Sequence, residues 1–354
     1  MNVKNKDNLS KNVLIWYDKN KRDLPWRKLD HEINPYETWI SEIMLQQTTV
    51  EAVKPYFNKF IKKWPSIKKL AKSDINDVMD MWSGLGYYSR AKNIHKSSQI
   101  LSNKYNNLLP NTYEELIKLP GIGPYTAGAI LSIAFNKDAV VIDVNIERIL
   151  LRLNGILLPA KKAKKELNDI SMQLNPKNRI GDYIQSLMDI GSKICKPNIP
   201  ICDICPIQKF CNSYHNDLTK IIPFKEKKKT KPTRKAILFW IVSDKGKVYL
   251  RRRPMSGLLP GMLEFPSTEW ILNNKKRDNY FKFPFEGDWS IIPGEITHTF
   301  SHFKLSLEIY THKGIKQNAF KGIWEDKENL KNIGLPSLMK KVYNHIISEE
   351  NNEK

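Results

Sequence analysis

The sequence predicts two structural classes in one chain, a mainly α part followed by an α+β part. Three observations carry this. Apolar residues recur at helical spacing through the first half and beyond. A Lys-rich run with two prolines, IPFKEKKKTKPTRK, begins at Ile222. After it the apolar pattern alternates in the manner of strands. With 354 residues there is enough chain for two cores. The expected division is 1–221, a basic linker over 222–234, and 235–354.

The formal net charge is +21. Its simplest physical use is a polyanion partner. A Lys- and Asn-rich composition drifting with an AT-rich genome gives the same number, and composition alone separates neither. No apolar run is long enough to span a membrane, which excludes the membrane-spanning helical class. The opening MNVKNKDNLSKN lacks the apolar core of a signal peptide, so a reduced, intracellular setting is expected.

The elements follow in order. Leu9, Val13, Ile15 and Trp16 form an apolar stripe that ends at LPWR. Trp26 and Arg27 there suit either a stacking pair for a base or a surface turn. Asn34-Pro35 is a helix-start signal for the segment running to Thr48. Glu42 lies in it among Ile40, Ile43 and Met44. A carboxylic acid short of water has a raised pKa and serves as a general acid; a Glu at the stripe's edge reaching solvent is the other reading. Gln46 and Gln47 suit the reading of base edges. Helices are expected over 50–64, with Phe57, Phe60 and Ile61 inward, and over 66–83. The loop Gly84-Leu85-Gly86-Tyr87-Tyr88-Ser89-Arg90 has an apolar tip suited to wedging a DNA stack, or to ordinary core packing of its tyrosines.

A basic amphipathic helix over 91–104 leads to LPGIGPYTAGAILSIAFNKDAVVIDVNIER. Gly121 and Gly123 permit a tight turn, and Pro124 suits the first position of a helix. Ala127, Ile130, Leu131 and Ala134 give that helix one buried face. The expected unit is helix, glycine turn, helix, whose exposed amides are a ready phosphate site. Asp143, ending an apolar run, is a carboxylate beside that turn. Lys161 to Lys165 read as a solvated face, and 183–194 as a helix. The four cysteines, Cys195, Cys202, Cys205 and Cys211, are spaced C-x6-C-x2-C-x5-C. Crowded thiols in a reduced compartment mean a metal centre, either tetrahedral zinc or an iron–sulfur cluster. A single C-x2-C knuckle tilts the choice toward [4Fe–4S].

In the second part, 236–242 and 247–252 read as a hairpin about Asp244-Lys245-Gly246. Residues 299–310 read as one alternating strand, with Phe303, Leu305, Leu307 and Ile309 on one face and His298, Phe300, His302 and Lys304 on the other. Residues 335–348 read as a closing helix.

LPGIGPYTAGA, then Asp143, then the cysteine spacing, resembles the helix–hairpin–helix DNA glycosylase superfamily that includes endonuclease III. SEIMLQQTTV, MWSGLGYYSRAKN and MDIGSKIC resemble its adenine-specific branch, MutY. RRRPMSGLLPGMLEFP and HTFSHFKL resemble that branch's C-terminal domain, which shares its fold with Nudix hydrolases. The resemblance extends from about residue 9 to the last helix. It implies a helical helix–hairpin–helix glycosylase domain with a [4Fe–4S] loop and a Nudix-like lesion-recognition domain. It implies a bacterial, cytoplasmic, DNA-associated monomer acting on duplex DNA with adenine opposite 8-oxoguanine or guanine, and no membrane partner.

Residue by residue, the resemblance makes Glu42 the proton donor to adenine and Asp143 the carboxylate beneath the sugar, with Tyr125 and Asn145 hydrogen-bonding in the active site. Trp26, Arg27 and Gln185 would border the adenine pocket. Gln47 and Tyr87 would contact the duplex near the lesion, with Gln46 and Leu85 beside them. Phe300, Ser301 and His302 would read 8-oxoguanine, and the four cysteines would hold the cluster. The endonuclease III branch carries a lysine nucleophile where this chain has Tyr125, so base hydrolysis without strand cleavage is expected. Two departures stand out. Val144 replaces the usual glycine between Asp143 and Asn145. No REUXEE acid cluster follows Glu264, so nucleotide pyrophosphate hydrolysis is not expected. The competing expectations are a bifunctional glycosylase/lyase and a non-catalytic iron–sulfur DNA-binding protein.

Overall fold

Asn34 starts the helix that carries Glu42. Its side chain accepts the Tyr36 amide at 3.0 Å, and Pro35 follows at the first helical position. In a computed structural model, residues 3–28, 33–224, 230–273 and 282–352 are described. The helices are α1 (Val3–Asn20), α2 (Pro35–Leu45), α3 (Val50–Lys63), α4 (Ile67–Ala71), α5 (Ile75–Met81), α6 (Ser89–Lys104), α7 (Tyr113–Leu116), α8 (Pro124–Phe135), α9 (Val144–Asn154), α10 (Lys164–Leu174), α11 (Ile180–Lys193), α12 (Asn212–His215) and α13 (Ser337–Asn352). The strands are β1 (Thr233–Ser243), β2 (Val248–Arg252), β3 (Leu263–Glu264), β4 (Ile271–Leu272), β5 (Ser290–Thr299), β6 (Lys304–Ile315) and β7 (Ile323–Glu325). Helices first and a mixed sheet from Thr233 onward is the class the sequence predicted; the sheet begins inside the expected 222–234 linker, of which residues 225–229 lie outside the described residues.

The chain divides into two units, Met1–Lys72 with Asn93–Lys227, and Ser73–Lys92 with Lys228–Lys354. The grouping of 73–92 with the C-terminal unit is not anticipated by a sequence division at 221.

In the helical unit α8 is central, packing against α2 and α11. Every residue from Thr126 to Ile133 is buried, so α8 has no solvent face; the expectation of one buried face was too narrow. On α1, Leu9, Val13 and Tyr17 are buried while Ile15 is 47% exposed, which corrects the predicted stripe. The helix expected over 66–83 is two. Ser66 caps α4, and Asp74 caps α5 by accepting the Asn76 amide. A second capping residue inside an apolar pattern starts a new helix rather than continuing the old one.

In the C-terminal unit the described strands make a sheet of order β3-β2-β1-β6-β5, with β4 on β1 and β7 on β2. β1 and β6 are parallel, pairing Leu238 with Ile309. Leu305, Leu307 and Ile309 face a core closed by Leu338, Met339, Val342 and Ile346 of α13. Each such side chain contributes about 1.5–3 kcal/mol of burial. The single strand expected over 299–310 is a hairpin. β5 ends at Thr299, the Phe300 amide bonds the Phe303 carbonyl at 2.9 Å, and β6 starts at Lys304.

Candidate functional site

Glu42, in the second half of α2, is 6% exposed. Loss of water pushes its carboxyl up to about 7. Asp143 adds to the rise, while a hydrogen bond from Tyr125 and the Arg27 charge pull the other way. Near neutrality the group therefore carries a proton it can release. Tyr125, in the first turn of α8, has its phenol held well above the ordinary range by burial and by Glu42, so its hydroxyl stays a donor.

Asp143 is the N-cap of α9. Its Oδ1 accepts the amides of Asn145 at 2.9 Å and Ile146 at 2.7 Å, and its Oδ2 accepts Asn145 Nδ2 at 2.8 Å. These donors hold a carboxylate in one orientation at a helix N-terminus. Val144 is 72% exposed, and none of these Asp143 contacts involves it. Arg148, one turn on, donates to Asn145 Oδ1 at 3.0 Å, to Gly191 O at 2.5 Å and to Cys195 O at 2.6 Å. A Cβ on Gly191 would sit 2.5 Å from Asn145 Cβ, so only glycine lets α11 come this near α9.

Trp26, Arg27, Glu42 and Gln185 line one small cavity of about 40 Å³. Trp26 packs edge-on against Phe57 at 5.3 Å. Arg27 is held from behind by Asp189, which is fully buried and also grips Arg22 at 2.5 Å. Burial raises the Asp189 carboxyl, but Arg27 and Arg22 together bring it below the ordinary value. Sequence reasoning gave Asp189 no role; an acid between Leu187-Met188 and Ile190 in α11 was the available signal.

Gln46 is turned to α8, donating to Thr126 Oγ1 at 3.1 Å. Gln47 is exposed and sits at φ 55°, a strained backbone for a non-glycine residue. The first helix of the expected helical hairpin is the single turn α7. Gly121 has φ +83° and needs to be glycine; Gly123, the N-cap of α8, has ordinary extended backbone with open space where a Cβ would point. Its smallness leaves the first amides of α8 open to approach.

The four cysteines line one cavity with Ile194, Pro200, Ile201, Ile207 and Arg152. Among the described residues no three His, Cys, Asp or Glu side chains converge as the ligands of a single ion would. Burial pushes the Cys205 thiol up to about 12, so its thiolate requires a cation. Arg152, 2% exposed, brings Nη1 to 3.3 Å from Cys195 Sγ. It also donates to the carbonyls of Lys196, Pro197, Thr219 and Ile222 at 2.7–3.0 Å. All five donors of the fork are used in pinning this loop. Arg148 and Arg152, four apart and among Ile146, Ile149, Leu150, Leu151 and Leu153 of α9, were the missed sequence signal.

In the C-terminal unit, positive φ at Gly84 and Gly86 turns Leu85 inward, where it is 7% exposed. The expected apolar tip is therefore not Leu85. Tyr87, at φ 48° and 42% exposed, is what the loop presents. Its hydroxyl is 2.6 Å from Ser301 Oγ. Ser301 and His302 are exposed at the β5–β6 turn, and Phe300 stacks on Phe303 at 4.8 Å.

Residues 40–176 match the HhH-GPD superfamily of base excision DNA repair proteins, and 237–345 match a NUDIX domain. The adenine DNA glycosylase of Buchnera aphidicola subsp. Acyrthosiphon pisum (strain APS) is 39% identical over 352 residues, spanning 93% of this chain and 95% of its own. The Homo sapiens adenine DNA glycosylase is 30% identical, spanning 94% of this chain and 72% of its own. Among solved structures, a thermostable thymine-DNA glycosylase aligns at TM-score 0.55 and 28% identity, over 60% of this chain and 98% of its own. A trapped endonuclease III–DNA intermediate shares the fold of the helical unit, at TM-score 0.52 and 23% identity, over 62% of this chain and 99% of its own. No described helix is long and apolar enough to cross a membrane. The chain belongs to the adenine DNA glycosylase family.

Proposed function

We propose that this DNA glycosylase hydrolyses the N-glycosidic bond of adenine mispaired with 8-oxoguanine or guanine in duplex DNA, and leaves the strand intact. One observation carries the reading: a buried Glu42 poised near neutrality beside a separately capped Asp143. Two carboxylates in unlike surroundings divide acid and anion roles.

The adenine leaves the stack, at a cost of roughly a few kcal/mol, less for a mispair. It enters between Trp26, Arg27 and Gln185. Glu42 gives its proton to the departing base, whose bond to C1′ breaks with the electron pair going to the base. Asp143 stabilises the cationic sugar, and water adds at C1′. Tyr125 and Asn145 orient the two carboxylates. Tyr125 offers no amine for a Schiff base, which supports base removal without strand cleavage. Glycine-turn amides at Gly121 and Gly123 take backbone phosphate, with Gln46 and Gln47 near the base pair. Tyr87 wedges the duplex and, with Leu85 behind it, backs Phe300, Ser301 and His302 in reading 8-oxoguanine.

Cys195, Cys202, Cys205 and Cys211 would hold a [4Fe–4S] cluster. Four thiols spread around one cavity suit a multi-iron body better than a single tetrahedral zinc. Held there, such a group would supply cationic charge for the buried thiolates and a rigid anchor for the loop.

Single-turnover excision on duplexes with adenine opposite 8-oxoguanine, guanine and thymine tests the proposal. Expected are cleavage with the first two only, seen only after alkali, and no borohydride-trapped complex. Strand breaks without alkali from nuclease-free protein, or equal excision opposite thymine, would overturn it.

A further inference from the structure

A cleft of about 640 Å³ opens in the C-terminal unit, and nothing in the proposed chemistry uses it. Its walls carry Arg234, Arg251, Arg252 and Arg253 against Glu264 and Glu269. Glu264, 1% exposed, is shared: Oε1 accepts Arg251 Nε at 2.8 Å, and Oε2 accepts Arg253 Nη1. One buried carboxylate thus serves two guanidiniums. Arg252 reaches Asp80 at a loose 3.5 Å, and Arg234 lies over the Phe303 ring at 4.5 Å. The cleft keeps a surplus of positive charge, held in planar forks that match phosphate oxygens.

The chemistry narrows the ligand. Both oxygens of Glu264 are engaged by arginine, which leaves that carboxylate unsuited to a divalent ion. Trp270 is the aromatic ring of the lining, and it already meets Arg253 at 5.0 Å and Phe300 at 5.5 Å. A nucleobase finds little free ring to stack on, whereas a phosphate needs none. We propose that the Arg234–Arg251–Arg252–Arg253 cleft grips a backbone phosphate of the duplex. Trp270 joins that grip to the Phe300 turn, so a seated phosphate also braces the turn. The inference requires DNA as the substrate and is independent of which mispair is cleaved.

The experiment compares the cluster-loaded full chain with Arg234→Gln and with the Arg234→Gln/Arg251→Gln double variant, on undamaged and mispaired duplexes. Binding is measured against salt concentration. The expected result is weaker binding to both duplexes, with the slope of log affinity against log salt falling by about 0.9 for each phosphate the variant no longer neutralises. An unchanged salt slope would overturn the proposal. If the double variant fails to fold, Arg234→Gln decides alone, because its guanidinium meets a ring rather than Glu264. Deoxyadenosine monophosphate is the second arm. Tight binding of it to the wild type, abolished in the variants while their salt slope is unchanged, would assign the cleft to free nucleotides and overturn the DNA form.

Discussion

Glu42 and Asp189 are both buried carboxylates on helices of the same unit, and their surroundings drive them in opposite directions. Glu42 has a phenol, a distant guanidinium and a neighbouring carboxylate, and burial wins, lifting it to about 7. Asp189 is no less buried, but two arginines within 2.6 Å outweigh the loss of water and keep it ionised. Burial alone therefore does not keep a carboxyl protonated near neutrality; burial without a cation in contact does. The pair also share Arg27. Its fork is spent on Asp189, at 2.6 and 3.0 Å, and only its longer-range field reaches Glu42.

The comparison breaks most visibly in rate. Glu42→Gln should keep duplex binding and lose excision by about 10²–10⁴-fold, measured in single turnover. Wild-type-like excision by that variant would remove Glu42 from the acid role.

Stability should then separate the two in sign. Asp189→Asn leaves Arg22 and Arg27 without their partner and should cost about 3 kcal/mol in denaturant unfolding at neutral pH. The Asp189 contribution, from a lowered pKa, is present above the unfolded carboxylate value and lost as pH falls through the lower folded one. Glu42 runs the other way. Its pKa is raised on folding, so its contribution is whole below about 4.5 and lost as pH rises through about 7. Glu42→Gln should accordingly stabilise the protein at pH 8, by about 1–3 kcal/mol. A loss of stability there would contradict the account of its surroundings.

The smallest effect comes from Tyr125→Phe. Removing a donor that favours the Glu42 carboxylate should move the falling limb of the pH–rate profile upward, by less than about one pH unit. A downward shift would mean that the hydrogen bond favours the acid form.

Much of the site was legible because its signals are local. Glu42 stands among Ile40, Ile43 and Met44 in the sequence itself, and Asp143 directly precedes the helix it caps. The cysteines announce themselves by spacing. What was not legible depends on distant partners or on turn geometry. Asp189 meets Arg22 and Arg27 across 167 and 162 residues, and no pattern within α11 names them. The partners of Arg152 carry no local signal, because its four carbonyls come from the cysteine loop and beyond. The β5–β6 turn was hidden because Phe303, Leu305 and Leu307 continue an alternation that looks like one strand. Leu85 looked like a wedge because sequence shows that glycines flank it but not which way they turn it.

The most direct test of the central claim is the pH dependence of single-turnover excision on a duplex with adenine opposite 8-oxoguanine. A protonated Glu42 as acid predicts a rate that falls about tenfold per pH unit above a midpoint near 7. A rate that stays flat to pH 9, from enzyme that remains folded and bound, would contradict it.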